Sequence, residues 1–403
     1  ASPIVSAKHF IGDGGTVWKS STTNNYKLDQ GNTIGDDDYL RNELLLPYID
    51  AIQAGAQTVM ISFSSWNGVK MHGHKELVTD LLKNELGFEG FVVSDWAGVD
   101  QVNPHYYQAV VASVNAGLDM NMVPYNGPAF ISTMIKAVEA KDISMKRIDD
   151  AVRRILKVKF EMGLFEKPFA NRSLIGEVRS PEHLALAREA VAKSLVVLKN
   201  DTVFGKALLP IAPNIERIYV AGEAANNIGL QCGGWTIEWQ GKQGAITAGT
   251  TIFEALQSRY PQAEIIYNQY GQFTEVDENA LCIVIASELP YAEGVGDSEK
   301  LELPIRDTLL IERMSETFSR LALVVFSGRP IILEPFAENL STIVAAWLPG
   351  TEGAGVVDIL SGDMSPTGTL SFDWASSVSQ LPIERFISGE EKPQWPIGYG
   401  LTW

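Results

Sequence analysis

Residues 87–100 read GFEGFVVSDWAGVD, an apolar run that ends abruptly in Ser94-Asp95-Trp96. A carboxylate at the carboxyl end of a parallel strand is where α/β proteins place chemistry, yet the same aspartate would serve as the N-cap of a following helix. Three further groups carry reactive or recognition side chains. The segment KHFIGDGG sets Lys8, His9 and Asp13 at the end of the first strand-like run. A glycine-flanked loop, QCGGWTIEWQG, carries Trp235 and Trp239, and SELPYAEGVGDSEKLEL carries Glu288, Glu293 and Asp297. Indoles near carboxylates suit carbohydrate, because a pyranose offers a flat C–H face to an aromatic ring while its hydroxyls need polar partners. Taken singly, each has a plainer use: Lys8 as a strand-end charge, Trp235 as a hydrophobic plug between domains, Glu293 as a solvated loop acid. His72 and His74 of MHGH read as pocket support rather than as a metal-ligand pair, and the acidic run GDDDY as a solvated loop.

The elements that must position these residues alternate in type. Strand-like runs at 4–10, 58–63, 90–93 and 118–123 are separated by amphipathic stretches, the pattern of parallel βαβ units. A helix is expected over 144–165, with Ser144 as N-cap and Arg147, Arg153 and Arg154 on its wet face. Periodicity lapses over 166–180, read as a linker. Beyond it RIYVAG, EIIYN, LCIVIAS, LALVVFSG and TIVAAWLPG alternate with helical stretches, predicting a second, doubly wound α/β sheet.

At 403 residues the chain is long enough for two domains. A formal net charge of −17, with no basic stripe, disfavours nucleic acid as a partner. No apolar run approaches a membrane span. Cys232 and Cys282 form neither a metal-ligand spacing nor a disulfide framework, which leaves the redox compartment open.

The ordered set KHFIGDGGT, SFSSWNGVKMH, GFVVSDWAGVDQ, AGLDMNMVP, RIDDAVRRILKVKFEMGLF, AREAVAKSLVVLKN, QCGGWTIEWQG, WLPGTEGAGVVDILSGDMSPTGTLSFDW and terminal GYGLTW resembles glycoside hydrolase family 3, over essentially the whole chain. Within it the likeness is greatest to exo-acting β-glucan glucohydrolases and β-glucosidases. The resemblance implies a (β/α)8-type barrel, a linker and an α/β sandwich, with the active site in the cleft between domains. On this sequence those parts fall at 1–165, 166–180 and 181–403. It makes Asp95 the nucleophile and Glu293 the general acid/base of a retaining hydrolase that releases glucose from β-glucans. Lys8 and His9 match the pair that binds sugar hydroxyls, Asp13 their support, and Trp96 and Trp235 the two aromatic walls. No metal and no cofactor is implied, and a secreted or periplasmic setting is expected. Gln101 stands where plant-type members carry arginine, and the Asp-x-His loop of the N-acetylhexosaminidase branch does not follow KHFIGDGG. About four barrel strands can be found where the resemblance implies eight. The expectation is therefore a carboxyl-terminal portion of a longer protein, its barrel completed by upstream sequence or another chain. Two rivals stand beside this reading: another specificity of the family, such as β-xylosidase, and a non-catalytic sugar-binding protein on the same fold.

Overall fold

The computed structural model describes residues 3–23 and 25–403. The chain divides into two compact units, Ala1–Arg172 and Ser173–Trp403. In the first, strands β1 (Ser6–Phe10), β2 (Thr58–Ile61) and β3 (Phe91–Val93) pair in parallel in that order. Phe10, Val59, Ile61 and Val92 are fully buried, joined in one core by Leu82 and Phe88 from the preceding helical segments and loops.

The expected fourth strand does not form. Segment 118–123 reaches β3 through one parallel bridge, Val93 to Met120. Side chains interrupt the ladder: the Met122 N–H donates to Ser94 Oγ at 2.7 Å, and the Asp119 carboxylate accepts the Val92 N–H at 2.8 Å, while the Ala97 N–H still reaches the Met122 carbonyl. Among the helices are α1 (Leu46–Gln53), α2 (Tyr106–Ala116), α3 (Gly127–Glu139) and α4 (Met145–Glu161), with a π-helical turn segment at Glu76–Glu85. Ser144 caps α4, its hydroxyl accepting the Arg147 N–H at 3.2 Å. The expected wet face needs correction. Arg153 is exposed, but Arg147 and Arg154 turn inward, because the buried Asp119, the half-buried Asp150 and the Phe88 and Gly90 carbonyls wait for them there. Val152 and Phe160 stand outside instead.

The second unit opens with α5 (Pro181–Ser194), which leads directly into β4 (Val196–Asn200). Then follow β5 (Arg217–Ala221), α6 (Ile252–Arg259), β6 (Glu264–Asn268), β7 (Leu281–Ser287), α7 (Ile305–Thr317), β8 (Arg320–Phe326), β9 (Thr342–Trp347) and α8 (Gly353–Ser361). The sheet runs β6-β5-β7-β8-β9-β4, all parallel except β4 against β9. Ile283, Ile285, Val324 and Phe326 face one core; Cys282, Val284, Leu323 and Val325 face the other. Burial on both faces explains why these strands read as unbroken apolar runs rather than alternating ones. Each such side chain withdrawn from water contributes about 1.5–3 kcal/mol. The carboxyl-terminal segment closes the second core: Trp374 is fully buried, donates Nε1–H to the Ile331 carbonyl at 2.8 Å and meets Trp395 edge-on. Cys232 and Cys282 are buried free thiols. Among the described residues no helix is long and apolar enough to cross a membrane.

Candidate active site

In the first unit the strand ends bring His9, Asp13 and Asp95 together. His9 Nδ1 lies 3.3 Å from Asp13 Oδ2, and its Nε2 lies 3.5 Å from Asp95 Oδ2, so one imidazole spans two carboxylates. Asp13 is braced in turn by Ser62, at the end of β2, whose hydroxyl is 3.3 Å from Oδ1. Lys8 is exposed beside His9, and no ion pair joins it to Asp95 among the described residues. The structure therefore does not bring its ammonium to the carboxylate.

Asp95 is not a helix cap. The turn that follows, Gly98–Gln101, has Ala97 as its N-cap, and α2 begins after His105. The Asp95 carboxylate instead accepts the next residue's N–H, from Trp96, at 2.6 Å. Its own backbone N–H donates to His72 Nε2 at 2.9 Å. His72 is buried, and its pKa is pushed down to about 3 by desolvation and by Lys70, so it stays neutral and keeps an acceptor lone pair. Gly98 lets that ring sit where it does: a Cβ there would stand 2.2 Å from Nε2. Trp96 is half exposed and meets Tyr125 edge-on at 6.1 Å. Gln101 donates its amide N–H to Gln30 Oε1 at 2.9 Å.

The second unit sets the loop that carries Trp235 against the loop that carries Glu293. The seven buried residues of β7 run straight into Glu288, and the loop that follows carries Glu293 at the start of the turn Glu293–Gly296. Glu293 is exposed, with φ 53°. That left-handed conformation costs a non-glycine residue about 1–2 kcal/mol, so its surroundings must hold it there. Trp235 is 69% exposed; its backbone N–H donates to the Trp239 carbonyl, and the two indoles lie 6.5 Å apart. The aromatic loop touches the acid loop directly, through Gln240 Oε1, which accepts the Ala292 N–H at 2.9 Å. Glu288 is not a solvated rival to Glu293. Its Oε1 accepts Arg329 Nε and Nη2 at 3.0 and 2.7 Å, and its Oε2 accepts the Tyr291 hydroxyl at 3.1 Å. Sequence reasoning missed Ser62, Tyr125, Gln240, Tyr291 and Arg329. Ser62, Gln240 and Tyr291 lie inside the stretches quoted above, where type and place offered a signal; Tyr125 and Arg329 lie just beyond them.

Acids and exposed indoles stand on loops at the carboxyl ends of parallel strands in two successive α/β units, which defines the class as an α/β protein with its polar and aromatic loops where such folds place their sites. The chain belongs to glycosyl hydrolase family 3. Residues 2–158 match the Glycosyl hydrolase family 3 N terminal domain, and residues 195–403 match the Glycosyl hydrolase family 3 C-terminal domain. The crystal structure of the exo-1,3/1,4-beta-glucanase from a Pseudoalteromonas species is similar with a TM-score of 0.88 and 38% identity, over 99% of this chain and 50% of that one. The lysosomal beta glucosidase of Dictyostelium discoideum is 29% identical over 401 residues, 90% of this chain and 48% of its own length. The beta-xylosidase of Formosa agariphila is 27% identical over 443 residues, 99% of this chain and 59% of its length. The chain thus spans about half the length of the curated relatives it matches.

Proposed function

We propose that this chain contributes the nucleophile and the acid/base of a retaining, exo-acting β-glucoside hydrolase that frees glucose from the non-reducing end of β-glucans. One observation carries the reading: a strand-end carboxylate, Asp95, faces a histidine that Asp13 grips from the other side, with an exposed indole adjoining. Asp95 attacks the anomeric carbon, while Glu293 protonates the departing oxygen and then, as base, activates the water that releases the sugar. Double displacement requires the two carboxyl groups about 5–5.5 Å apart. Lys8 and His9 take sugar hydroxyls, and Trp96 and Trp235 clamp the ring. No cofactor takes part in this chemistry. The reading places a half-barrel at 1–165, a linker at 166–180 and a sandwich at 181–403. Upstream sequence or a separate chain completes the barrel, since three parallel strands alone leave edges and an interior unfilled. A polysaccharide does not cross a bilayer, which favours a secreted or periplasmic enzyme.

The similar beta-xylosidase supports a second reading, with xylose in place of glucose. Aryl β-glucosides and β-xylosides, assayed on the protein with its barrel complete, separate the two, and NMR of the first-formed anomer reads the stereochemistry. Faster glucoside turnover with β-glucose appearing first is expected. A preference for xyloside moves the substrate, α-glucose first overturns retention, and no turnover leaves a sugar-binding protein. Trp235→Ala should raise KM roughly 2- to 10-fold, the worth of one aromatic contact. An unchanged KM would remove Trp235 from the pocket.

A further inference from the structure

The backbone of Glu293 is gripped from both sides along the chain and from a neighbouring loop. Upstream, Glu288 is only 11% exposed, and both its oxygens are spent: Oε1 on Arg329, Oε2 on the Tyr291 hydroxyl and the Gly328 N–H. Downstream, Arg329 Nη1 donates to the Gly296 carbonyl at 2.6 Å, which fixes the far end of the turn that Glu293 begins. Between them the Tyr291 ring lies under the Arg329 guanidinium, 4.6 Å from its centre, and burial pushes the phenol up to about 12, so it donates at every working pH. Gly234 and Gly296 make this packing possible: a Cβ would stand 2.0 Å from the Tyr291 carbonyl oxygen at one and 2.2 Å from the ring at the other. From the side, Gln240 accepts the N–H of Ala292, the residue immediately before Glu293. Gln240 also follows Trp239, whose carbonyl takes the Trp235 N–H.

On the reading of Glu293 as acid/base, we infer that Glu288, Tyr291, Arg329 and Gln240 are positioning residues that aim its carboxyl group. Gln240 further ties that group to the Trp235 loop, so a ring seated on the indole and a proton delivered from Glu293 share one rigid frame. Geometry sets proton transfer steeply, and a carboxyl group displaced by an ångström loses much of its effect. Neither Glu288 nor Gln240 is placed in contact with substrate.

Leaving-group dependence tests the inference. In the intact protein, Glu293→Ala, Glu288→Gln and Gln240→Ala are compared on aryl β-glucosides running from dinitrophenyl to unsubstituted phenyl. The activated dinitrophenyl glucoside needs little protonation and the phenyl glucoside needs much. Glu288→Gln and Gln240→Ala should lose less than about threefold in kcat/KM on the first and on the order of 10- to 100-fold on the second. Added to Glu293→Ala, either change should cost less than about threefold more, because the group being aimed is already gone. Equal losses across leaving groups, or full additivity with Glu293→Ala, would show that these residues merely hold the fold, and the inference would fall. If Glu293→Ala itself shows no leaving-group dependence, the acid/base assignment fails and takes the inference with it. Should Glu288→Gln not fold, Tyr291→Phe removes one hydroxyl only, and the same selective loss is expected of it.

Discussion

Asp95→Ala should lower kcat by about 10⁴-fold or more while the protein melts within a few degrees of wild type. Loss of a covalent nucleophile removes the first chemical step and not merely some of its stabilisation. The fold should tolerate the change because the carboxylate's structural duties are small. It accepts the Trp96 N–H and faces His9, whereas the strand end itself is fixed through the Asp95 backbone N–H to His72, a bond that alanine keeps. That acceptor is neutral at any assay pH, since burial holds His72 down to about 3. Loss of the side-chain bond costs about 1 kcal/mol of stability. Initial rates on an aryl β-glucoside, with purity checked by mass, and a thermal melt decide the matter. Retention of more than a few per cent of activity would move the nucleophile elsewhere. Added azide supplies a further check: it enters the vacated space on the face Asp95 occupied and should give the α-glucosyl azide.

Much of this organisation is legible in the sequence where one interaction dominates. The second sheet is plain because burial on both faces leaves Leu281–Ser287 and Arg320–Phe326 with scarcely a polar residue. Strands β1 to β3 are equally plain, and so is the Ser144 cap. The fourth strand failed because a buried aspartate within it competes with the ladder for the Val92 N–H, and alternation of residue types carries no trace of that. Helical periodicity puts Arg147 and Arg154 in water for a similar reason: it ranks arginine as polar and cannot see the acids that receive it. At the site, residue type and placement draw attention to Asp95, His9, Asp13, Trp235 and Glu293, and the family resemblance supplies the roles proposed for them. The grip on them was hidden, because Arg329 meets Glu288, and Ser62 meets Asp13, from strands that only the folded sheet makes neighbours.

The buried charges beneath β3 bear the largest expected effect on stability. The Asp119 side chain is wholly inaccessible; that of Lys83, 3% exposed, donates to its oxygens at 2.8 and 2.9 Å, and Arg147 pairs with it as well. Asp150 joins Arg147 and Arg154, giving three cations to two carboxylates. Asp119→Asn keeps the shape but strips one of those two negative charges, leaving Lys83 buried with cations around it. Breaking a buried pair from one side costs about 3–5 kcal/mol. The penalty should depend on pH, and its sign follows from Lys83. Desolvation lowers its pKa to about 8 against the attraction of Asp119, so between that value and the ordinary lysine value the unfolded chain binds a proton the native state does not. Native stability therefore rises with pH across that window. Without Asp119 the native pKa falls further, which makes the wild-type advantage greatest below about pH 8, where its ammonium is still bound, and smaller once both proteins have lost it. Urea unfolding of the intact proteins at about pH 6.5 and about pH 9.5 should show a large destabilisation at the lower pH and a clearly smaller one at the higher. A penalty below about 1 kcal/mol, or one equal at both pH values, would mean that Lys83 and Asp119 do not act as a buried ion pair.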